Sequence, residues 1–468
     1  MAEQVAHAAL AGGHPIEEPA RRRLVVFAVV SIALLMSSVD QTIVATALPA
    51  LQRDLHAQVN WSSWTITIYS LGQVLMMPLA GKLGDQFGRK QVFLTAAAMF
   101  TVASLCCGLA GNIYLLIVLR AVQALGGGAF MPSATGIVTE IFGKDRDRAV
   151  GLFASIFPIG GIIGPVLGGL FVTYWSWRGI FLVNLPIGLV LLILGTVFVP
   201  DIARRPDRHL DIRGIILLGC TLLSAMFGIA YLGSADSSPL DARFIGPECV
   251  ALAAVIAFVR HAARAESPFI SPRFLAGRGF GVMNLLNFLY GSAVLGFAPL
   301  VPLYAQDRYG LSSLASGTLL TSRAVGMIAT AGVAVYLLRR TGYRWPIAVG
   351  FTVSACGLVA TAVSPPGMSP YAWLAVAAGI CGVGMGTSTP SANNATLQLA
   401  PDHAAAVAGL RGMFRQSGAI SAVSVTSAIV ARSGDPGMAQ AHVFLVFAAI
   451  LVASLVLVCF VPEHRGRW

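Results

Sequence analysis

Long apolar runs follow one another along almost the whole chain, and each is long enough to cross a bilayer. A helix needs roughly 20 apolar residues to span a hydrocarbon core of about 30 Å. Of the 468 residues 56% are hydrophobic and 11% are charged, whereas a soluble domain is about 25% charged. The sequence therefore predicts an all-helical integral membrane protein with fourteen spans, at 24–47, 61–81, 91–110, 112–138, 149–173, 178–199, 213–233, 244–260, 279–304, 312–337, 345–364, 370–397, 407–431 and 441–462.

The basic residues cluster in alternate connections, which predicts the orientation. Lys and Arg are enriched in cytoplasmic loops. With the N-terminus inside, 22 of the 31 Lys and Arg lie on the cytoplasmic side, five lie outside and four lie within or at the edge of spans. Both termini are thus predicted to be cytoplasmic, in a cell inner or plasma membrane. The net charge of +11 then reflects topology and contact with anionic membrane lipids, and no nucleic-acid partner is expected.

The lengths of the connections divide the chain into two halves. Only two connections on the predicted cytoplasmic side, 200–212 and 261–278, are long, and they bracket one pair of spans. GDQFGRK after span 2 and LRRTGYR after span 10 occupy corresponding places, and parallel repeats of this kind are typical of transporters. The sequence predicts two six-helix bundles, at 24–199 and 279–462, a linker at 200–278 with two extra transmembrane helices, and cytoplasmic tails at 1–23 and 463–468.

One segment between spans 2 and 3, GKLGDQFGRK at 81–90, concentrates glycine and charge. It is not a phosphate-binding P-loop, which requires G-x-x-x-x-G-K-[ST] between a strand and a helix. Either its charges only fix the topology, or its glycines let two helix ends approach while Asp85 pairs with a neighbouring helix end in one conformation and releases it in another. The second hypothesis makes a conformational gate of Gly81, Gly84, Asp85, Gly88, Arg89 and Lys90.

Two ionisable residues lie deep in the first half, Asp40 in span 1 and Arg120 in span 4. A carboxylate inside a membrane is costly and often marks a proton relay. Both residues lie about 11–12 Å from the predicted outer ends of their helices, at 1.5 Å per residue, so we expect them to face the same cavity. Arg120 would favour ionised Asp40 until substrate or a conformational change loosens the pair. The alternatives are a structural polar contact for Asp40 and hydrogen bonds from Arg120 to backbone carbonyls.

Span 5 carries glycine at every fourth position. Gly160, Gly164 and Gly168 share one helix face and permit close packing against a partner helix, and Pro165 can bend the helix. We expect this kinked helix to seal the seam between the two bundles and so to limit leak. Ordinary tight packing is the alternative.

Further polar residues inside spans are candidates for lining a substrate cavity. They are Gln123 in span 4, Arg323 in span 10, Asn393 and Asn394 in span 12, and Arg415 and Gln416 in span 13. The spans of the second half contain no carboxylate deep in the membrane beside these polar residues. Proton coupling is therefore assigned to Asp40 and Arg120 in the first half. Arg323 is expected to bind anionic substrates or to contact a gate.

Several of these segments resemble the motifs of a known family. GKLGDQFGRK resembles the loop signature of the major facilitator superfamily, G-x-L-a-D-r-x-G-r-K/R. VDQTIVATALPAL (39–51) and RAVQALGGG (120–128) are similar to motifs of its fourteen-helix drug:proton antiporter branch, although Ala45 and Ala124 depart from them. PIGGIIGPVLGG (158–169) resembles the antiporter signature through Gly160, Gly164, Pro165, Gly168 and Gly169. The resemblance covers nearly the whole chain and implies the major facilitator fold.

These observations favour proton-coupled efflux of amphipathic small molecules by alternating access. The proton gradient would supply the energy, and no cofactor or metal is expected. Selective export or import of one metabolite in the same fold is the alternative. A membrane enzyme or receptor is disfavoured, because the sequence contains no H-E-x-x-H, no G-x-S-x-G and no Cys/His metal spacing. The protein is expected to be a monomer.

Overall fold

The computed structural model describes residues 20–57, 59–153, 156–201, 211–232, 237–266, 268–277, 279–363 and 367–463. These ranges are almost entirely helical, and no strand occurs within them. The helices of the first half are α1 (Ala20–Asp54), α2 (Val59–Phe87), α3 (Arg89–Leu109), α4 (Ile113–Phe142), α5 (Arg146–Phe153), α6 (Ile156–Tyr174), α7 (Gly179–Leu182) and α8 (Asn184–Phe198).

Three helices of the linker, of which the last is short, and the helices of the second half follow. They are α9 (Ile212–Leu232), α10 (Ala242–Ala262), α11 (Pro272–Ala276), α12 (Phe280–Tyr290), α13 (Phe297–Tyr309), α14 (Ser313–Thr341), α15 (Arg344–Ala362), α16 (Pro370–Gln398), α17 (Ala404–Ala431) and α18 (Pro436–Val458). A π-helical turn over Gly291–Leu295 joins α12 to α13 and makes them one continuous path.

The expected all-helical membrane architecture is confirmed. Among the described residues, eleven helices are long and apolar enough to cross a membrane, and a shorter apolar helix covers Ile159–Tyr174. Two more long helices, α2 and α17, contain 29 and 28 residues and coincide with predicted spans 2 and 13. The total of fourteen crossings stays a prediction, because length and composition alone qualify eleven.

Side-chain contacts between connections group the helix ends into two faces. Contacts on the predicted cytoplasmic face include Arg89–Glu140, Arg146–Gln398 and Arg344–Glu463. Contacts on the predicted outer face include Asp54–Arg178 and Arg432–Ser237. Each pair joins connections that the predicted alternation places on the same side. Which of the two faces is cytoplasmic stays a prediction from the basic residues.

The first and second halves pack together towards the predicted cytoplasmic face. One apolar core combines side chains of α1–α5 and α8 with Leu397 and Ala400 near the end of α16 and with Val407 and Ala408 of α17. A separate core at the predicted outer end, around Ile43, contains residues of the first half alone. The structure thus describes a conformation in which the seam is packed near the predicted cytoplasmic face.

The two linker helices lie at the side of this arrangement. Only 22% and 17% of the most apolar windows of α9 and α10 are buried, so most of their surface is left to lipid. At the predicted cytoplasmic face, Asp211 connects the ends of these two helices. Its carboxylate accepts hydrogen bonds from the backbone N–H groups of Gly214 (2.8 Å) and Phe269 (2.9 Å). His261 Nε2 lies 2.7 Å from the same carboxylate. Asp211 therefore caps α9 and holds the end of α10 and the following connection beside it.

Helix α2 extends six residues beyond the predicted end of span 2, so the segment 81–90 is mostly helical. It runs to Phe87, and α3 begins at Arg89. Gly88 alone separates the two helices, with φ 100° and ψ 133°. Only glycine adopts this backbone conformation without strain. The predicted loop is therefore a one-residue hinge between two helices.

Candidate functional site

A buried ion pair occupies the interior of the first half. Arg120 Nη1 of α4 donates to Asp40 Oδ2 of α1 at 2.6 Å. The accessible fractions of the two residues are 1% and 0%. In this conformation the side chains face each other inside the helices of the first half, which agrees with the expected pairing. Their exposure to a substrate cavity stays a prediction. Burial of both charges requires good geometry and further hydrogen bonds.

Further polar side chains surround the pair and satisfy it. Gln123 Nε2, one turn from Arg120, donates to Asp40 Oδ1 at 2.9 Å, and its Oε1 accepts from Arg120 Nη1 at 2.7 Å. Asn184 of α8 donates to the same Asp40 oxygen at 3.2 Å. Ser104 of α3 accepts from both amides, at 2.7 and 3.3 Å. Gln123, predicted as a cavity residue, thus belongs to this cluster, where Asp40 accepts three hydrogen bonds.

Helix α2 completes the surroundings of Arg120. The guanidinium Nε donates to the backbone carbonyl of Thr65 at 3.2 Å. The guanidinium carbon lies 4.0 Å from the centre of the Tyr69 ring, a distance at which a cation is attracted to an aromatic face. Arg120 therefore combines the predicted ion pair with the alternative role, a hydrogen bond to a backbone carbonyl.

Sequence reasoning missed Asn184, Ser104, Thr65 and Tyr69. Asn184 stands out as an amide in an apolar run at the start of α8, and that polarity was the available signal. The others are common residues of membrane helices, and nothing in the sequence distinguishes them. The cluster as a whole is a buried site that holds one carboxylate and one guanidinium among helices α1, α2, α3, α4 and α8.

The glycine face of α6 packs against α1. Added Cβ atoms at Gly160, Gly164 and Gly168 would overlap, in order, the hydroxyl oxygens of Ser38, Thr42 and Thr46. Thr42 also donates to the Gly160 carbonyl at 3.2 Å. The glycine face thus makes the close packing that the alternative describes. Helix α6 as a whole also lies against α14 of the second half, and its sealing of the seam stays a prediction. The contact of the glycine face has a local consequence, because Ser38 and Thr42 flank Asp40 on α1.

The other two residues of the α6 glycine motif, Pro165 and Gly169, do not belong to the face that contacts α1. A Cβ atom at Gly169 would meet nothing within 4 Å, and the same holds for Gly161. Pro165 lies inside α6, where it removes one backbone donor. The structure thus separates the motif into a face that contacts α1 and positions without such a contact.

At the predicted cytoplasmic face, Arg89 connects α3 to α4. Its Nη1 donates to the Gly136 carbonyl at 2.6 Å and pairs with Glu140 at 2.7 Å, while its Nη2 lies 3.3 Å from Asp85. Asp85 thus pairs with Arg89 of the same segment, and the contact with the neighbouring helix is made by Arg89. A Cβ atom at Gly84 would make ordinary contact with Arg89, and Lys90 forms a surface pair with Asp201 at 3.6 Å. We call Asp85, Arg89, Gly136 and Glu140 the arginine latch.

The arginine latch lies at the contact between the two halves. A Cβ atom at Gly136 would lie 2.8 Å from Arg89 Cδ and 3.0 Å from the Cβ of Ala405 in α17. Gly81 of α2 faces the backbone of Ala405 and Ala406. Residues of the 81–90 segment are therefore placed where the first half meets α17.

A second polar contact joins the halves nearby. Asn394 of α16 donates to the Asp147 carbonyl at 3.0 Å, and Arg146 donates to Gln398 at 3.3 Å. Asn394 was predicted to line a cavity, but it is fully buried at this contact. Its role in the structure is to connect α16 to α5.

The remaining predicted cavity residues lie in the second half. A narrow cavity is lined by residues of α12, α15, α16 and α17, which include Asn287, Tyr290, Thr389, Asn393 and Arg415. Arg323 of α14 is half-buried and donates to the Val294 carbonyl at 3.4 Å. Gln416 is half-buried on α17 beside Arg415. Asn393 and Arg415 thus line the same cavity.

Comparison with known proteins agrees with this architecture. A family model described as the Major Facilitator Superfamily matches residues 30–423 and, in a second match, 283–468. The chain belongs to the Major Facilitator Superfamily. It is therefore a multi-pass membrane transporter and not an enzyme.

Two relatives from this superfamily span most of the chain. One is the multidrug transporter protein MdtP of Bacillus subtilis, 29% identical over 407 residues, which cover 86% of this chain and 75% of MdtP. Another is the tetracenomycin C resistance and export protein of Streptomyces glaucescens, 30% identical over 413 residues, which cover 87% of this chain and 76% of that protein.

A solved structure of the superfamily shares the fold. The human organic anion transporter MFSD10 superimposes with a TM-score of 0.72, over 94% of this chain and 100% of that structure. The sequence identity is 16%, so this likeness concerns the major facilitator fold alone.

Proposed function

We propose that this protein exports amphipathic small molecules in exchange for protons, by alternating access between the two faces of the membrane. The Asp40–Arg120 pair carries the proposal, because it is a titratable carboxylate held by an exchangeable partner in the middle of a transporter. A relative named as a multidrug transporter supports the breadth of the substrate class, and one named as a tetracenomycin C resistance and export protein supports the direction. Asp40 is proposed as the proton site, and Gln123 and Asn184 as the groups that position it.

In the proposed cycle the packed conformation is the state in which Asp40 carries no proton. Asp40 accepts three hydrogen bonds here, from Arg120, Gln123 and Asn184. A proton on Asp40 would leave the buried Arg120 without its counter-charge, and that arrangement is costly. Proton binding is therefore coupled to a rearrangement that separates or hydrates Arg120. This coupling is the physical link between protonation and the change of exposed face.

The proton-motive force is sufficient for export. One proton that moves inward through 100 mV releases about 2.3 kcal/mol. Since about 1.4 kcal/mol is a factor of ten, one proton per molecule supports roughly fiftyfold accumulation. A pH gradient adds to this value.

Inverted membrane vesicles provide the test. Gradient-driven uptake of amphipathic dyes of either charge, and the proton release that they induce, are measured for native protein, Asp40→Asn and Arg120→Lys at equal expression. We expect Asp40→Asn to lose gradient-driven uptake and to retain equilibrium binding. Arg120→Lys should slow coupled uptake, because lysine lacks the fork that contacts Asp40, Gln123 and Thr65 together.

The control is Asp54→Asn, at the exposed end of the same helix and outside the buried cluster. Its coupled uptake should stay close to native. Full coupled uptake by Asp40→Asn would overturn the assignment of the proton site. Competition distinguishes the breadth of the substrate class, since unrelated amphiphiles compete in a multidrug exporter and do not compete in a selective metabolite carrier.

A further inference from the structure

Three arginines lie within the helices of the second half without an acidic partner among the described residues. Arg411 and Arg415 are one turn apart on α17, and Arg323 lies on α14. Arg323 donates to the carbonyl of Val294, and Gly291 of the same helical turn lies against the backbone of Arg415. Between residues 279 and 431 the sequence contains only two acids, Asp307 and Asp402, and both lie near helix ends. We call Arg323, Arg411 and Arg415 the arginine cluster.

Within the arginine cluster, Arg411 is the most deeply buried side chain and has the most atoms without a hydrogen-bond partner among the described residues. It is 2% exposed, and its Nε and Nη1 atoms are buried without a hydrogen-bond partner in the ranges that the structure describes. Arg415 Nε is likewise buried and unpartnered within that part of the chain. Buried charges in proteins are normally paired, because an unpaired one costs several kcal/mol. Arg120, by contrast, pairs with Asp40 and donates to Gln123 and to the Thr65 carbonyl, so this chain can satisfy a buried arginine internally.

The cavity beside one member of the arginine cluster, Arg415, has the chemistry of a binding site. Arg415 lines it and lies over Tyr290, with its guanidinium carbon 4.9 Å from the ring centre. Tyr290 and Thr389 share a hydrogen bond of 2.9 Å. Apolar walls are supplied by Met283, Leu286, Ile347 and Phe351. A pocket with apolar walls and a few convergent polar groups is typical of small-molecule sites.

The backbone is irregular at the same place. The π-helical turn Gly291–Leu295 follows Tyr290 directly, and Arg323 donates to the carbonyl of Val294 within it. A Cβ atom at Gly291 would overlap the backbone carbonyl of Arg415, so only glycine permits this approach. Single π-helical turns are frequent at functional sites. Here the turn brings one helix against two members of the arginine cluster.

We propose that the arginine cluster binds the anionic group of the transported molecule, and that substrates are therefore amphipathic organic acids with an apolar body. This inference rests on the proposed export function and names its substrate class. The anion supplies the missing counter-charge to Arg415 and Arg411, and the apolar body contacts the Met283 and Phe351 side of the cavity. The proton site at Asp40 and the anion site then lie in different halves of the protein.

Paired ligands that differ only in charge test the proposal. Dansylglycine, 1-naphthylacetate and cholate are each compared with their uncharged amide, with purified full-length protein in phosphatidylcholine nanodiscs and empty discs subtracted. We expect at least one acid to bind no less than tenfold more tightly than its amide, since a hydrogen bond to a charged group is worth roughly this factor. No preference for the acid in any of the three pairs would overturn the proposal.

Variants of the arginine cluster test whether these residues cause the preference for the acid over its amide. Arg415→Gln and Arg411→Gln should each remove most of the preference for the acid, and unchanged affinity for the amide shows that the cavity is still formed. Arg340→Gln removes an exposed arginine of α14 and is the matched control, which should keep the native preference. A preference that persists in both cluster variants would place the anion elsewhere and overturn the assignment.

A lipid headgroup is a second possible source of the anion, and lipid composition distinguishes it from a substrate. Partial replacement of phosphatidylcholine by phosphatidylglycerol should leave the affinity for the acid unchanged. Loss of that affinity would assign the arginine cluster to a lipid headgroup and overturn the proposal.

The anion site and the export function can fail separately. Asp40→Asn should retain the preference for the acid while gradient-driven uptake is lost. Proton-coupled uptake of lipophilic cations alone would support the export function and reject the anion site. Binding of the acid without proton-coupled uptake would support the anion site and reject the export function.

Discussion

Gly81 of α2 packs against the backbone of Ala406 in α17. A Cβ atom at position 81 would lie 2.5 Å from the Cα of Ala406, and one at Gly409 would overlap the carbonyl of Met77. Backbone atoms cannot rotate aside as the end of a flexible side chain can. A larger residue at either position must therefore push α2 and α17 apart. The seam at the predicted cytoplasmic face closes only because both positions carry glycine.

Gly81→Val and Gly409→Val should therefore destabilise the closed predicted cytoplasmic face. Overpacking typically costs about 1–3 kcal/mol, which changes the ratio of two conformations by roughly 5- to 140-fold. We expect at least a fivefold lower rate of gradient-driven uptake, with equilibrium binding of substrate retained. Gly332→Val on α14 is the control, because a Cβ atom there meets nothing within 4 Å. A native rate in both seam variants would show that this closure does not limit transport.

The glycine face of α6 should determine stability more than transport specificity. Gly164→Val forces α6 away from Thr42 of α1, whereas Gly161→Val, three residues earlier, meets nothing within 4 Å. We expect Gly164→Val to lower the free energy of unfolding by about 1–3 kcal/mol and Gly161→Val to change it little. Thermal melting of the purified proteins, followed by the loss of the monodisperse fraction, measures both. Equal melting temperatures for the two variants would contradict the packing described for α6.

The positions of Asp40 and Arg120 illustrate what the sequence predicts well. Equal depth along two helices follows from the helical rise alone, and the structure brings the two side chains into contact. The partner of the α6 glycines could not be derived in the same way. Periodicity shows which helix face is small, but it does not distinguish α1 from the opposite half as the partner of that face.

The segment 81–90 shows a second limit. Its composition predicts a connection, yet helical hydrogen bonding continues to Phe87 and only Gly88 leaves the helical conformation. Tertiary contacts of Arg89 and Gly81 with α4 and α17 hold this helical end in place. Such contacts depend on residues far along the chain, and local propensity does not contain them. Asn394 was misplaced for the same reason, since its partner Asp147 lies in the other half.

The arginine latch should depend on the shape of Arg89 and not only on its charge. Arg89 contacts the Gly136 carbonyl, Glu140 and Asp85 through two different nitrogen atoms. Lysine has one nitrogen on a flexible stem and cannot reproduce this fork. We expect Arg89→Lys to slow gradient-driven uptake at least fivefold, and Asp85→Asn to slow turnover more than it weakens substrate binding. Initial rates and equilibrium binding of the same preparations separate the two effects.

Lys90 is the control for the arginine latch. Its pair with Asp201 is long, and Asp201 is 84% exposed, so the pair contributes little to stability. Lys90→Gln should therefore transport within about twofold of native, in keeping with the 0–1 kcal/mol of a surface ion pair. If Arg89→Lys matched Lys90→Gln in rate, the charges of this segment would serve the topology alone.

Asp211 makes the packing of the linker helices sensitive to acid. Burial would raise the pKa of this carboxyl, but hydrogen bonds from the backbone of Gly214 and Phe269 and from His261 hold the pKa below its ordinary value. A carboxyl whose pKa is lower in the folded state stabilises that state above its unfolded pKa of about 3.9. This stabilisation is lost as the pH falls through the lower, folded pKa. The ends of α9 and α10 should then separate.

Asp211→Asn tests this contribution because asparagine caps a helix but does not titrate. We expect the melting temperature of native protein to fall as the pH is lowered from about 5 to about 2, and the variant to lose less over the same interval. Asp211→Ala should be less stable than native at pH 7 by about 1 kcal/mol, the usual value of a helix cap. Asp241→Asn, at the other end of this helix pair, is the control, since Asp241 caps α10 on the opposite face. A native and an Asp211→Asn profile that run parallel across this interval would show that Asp211 does not hold the linker helices together.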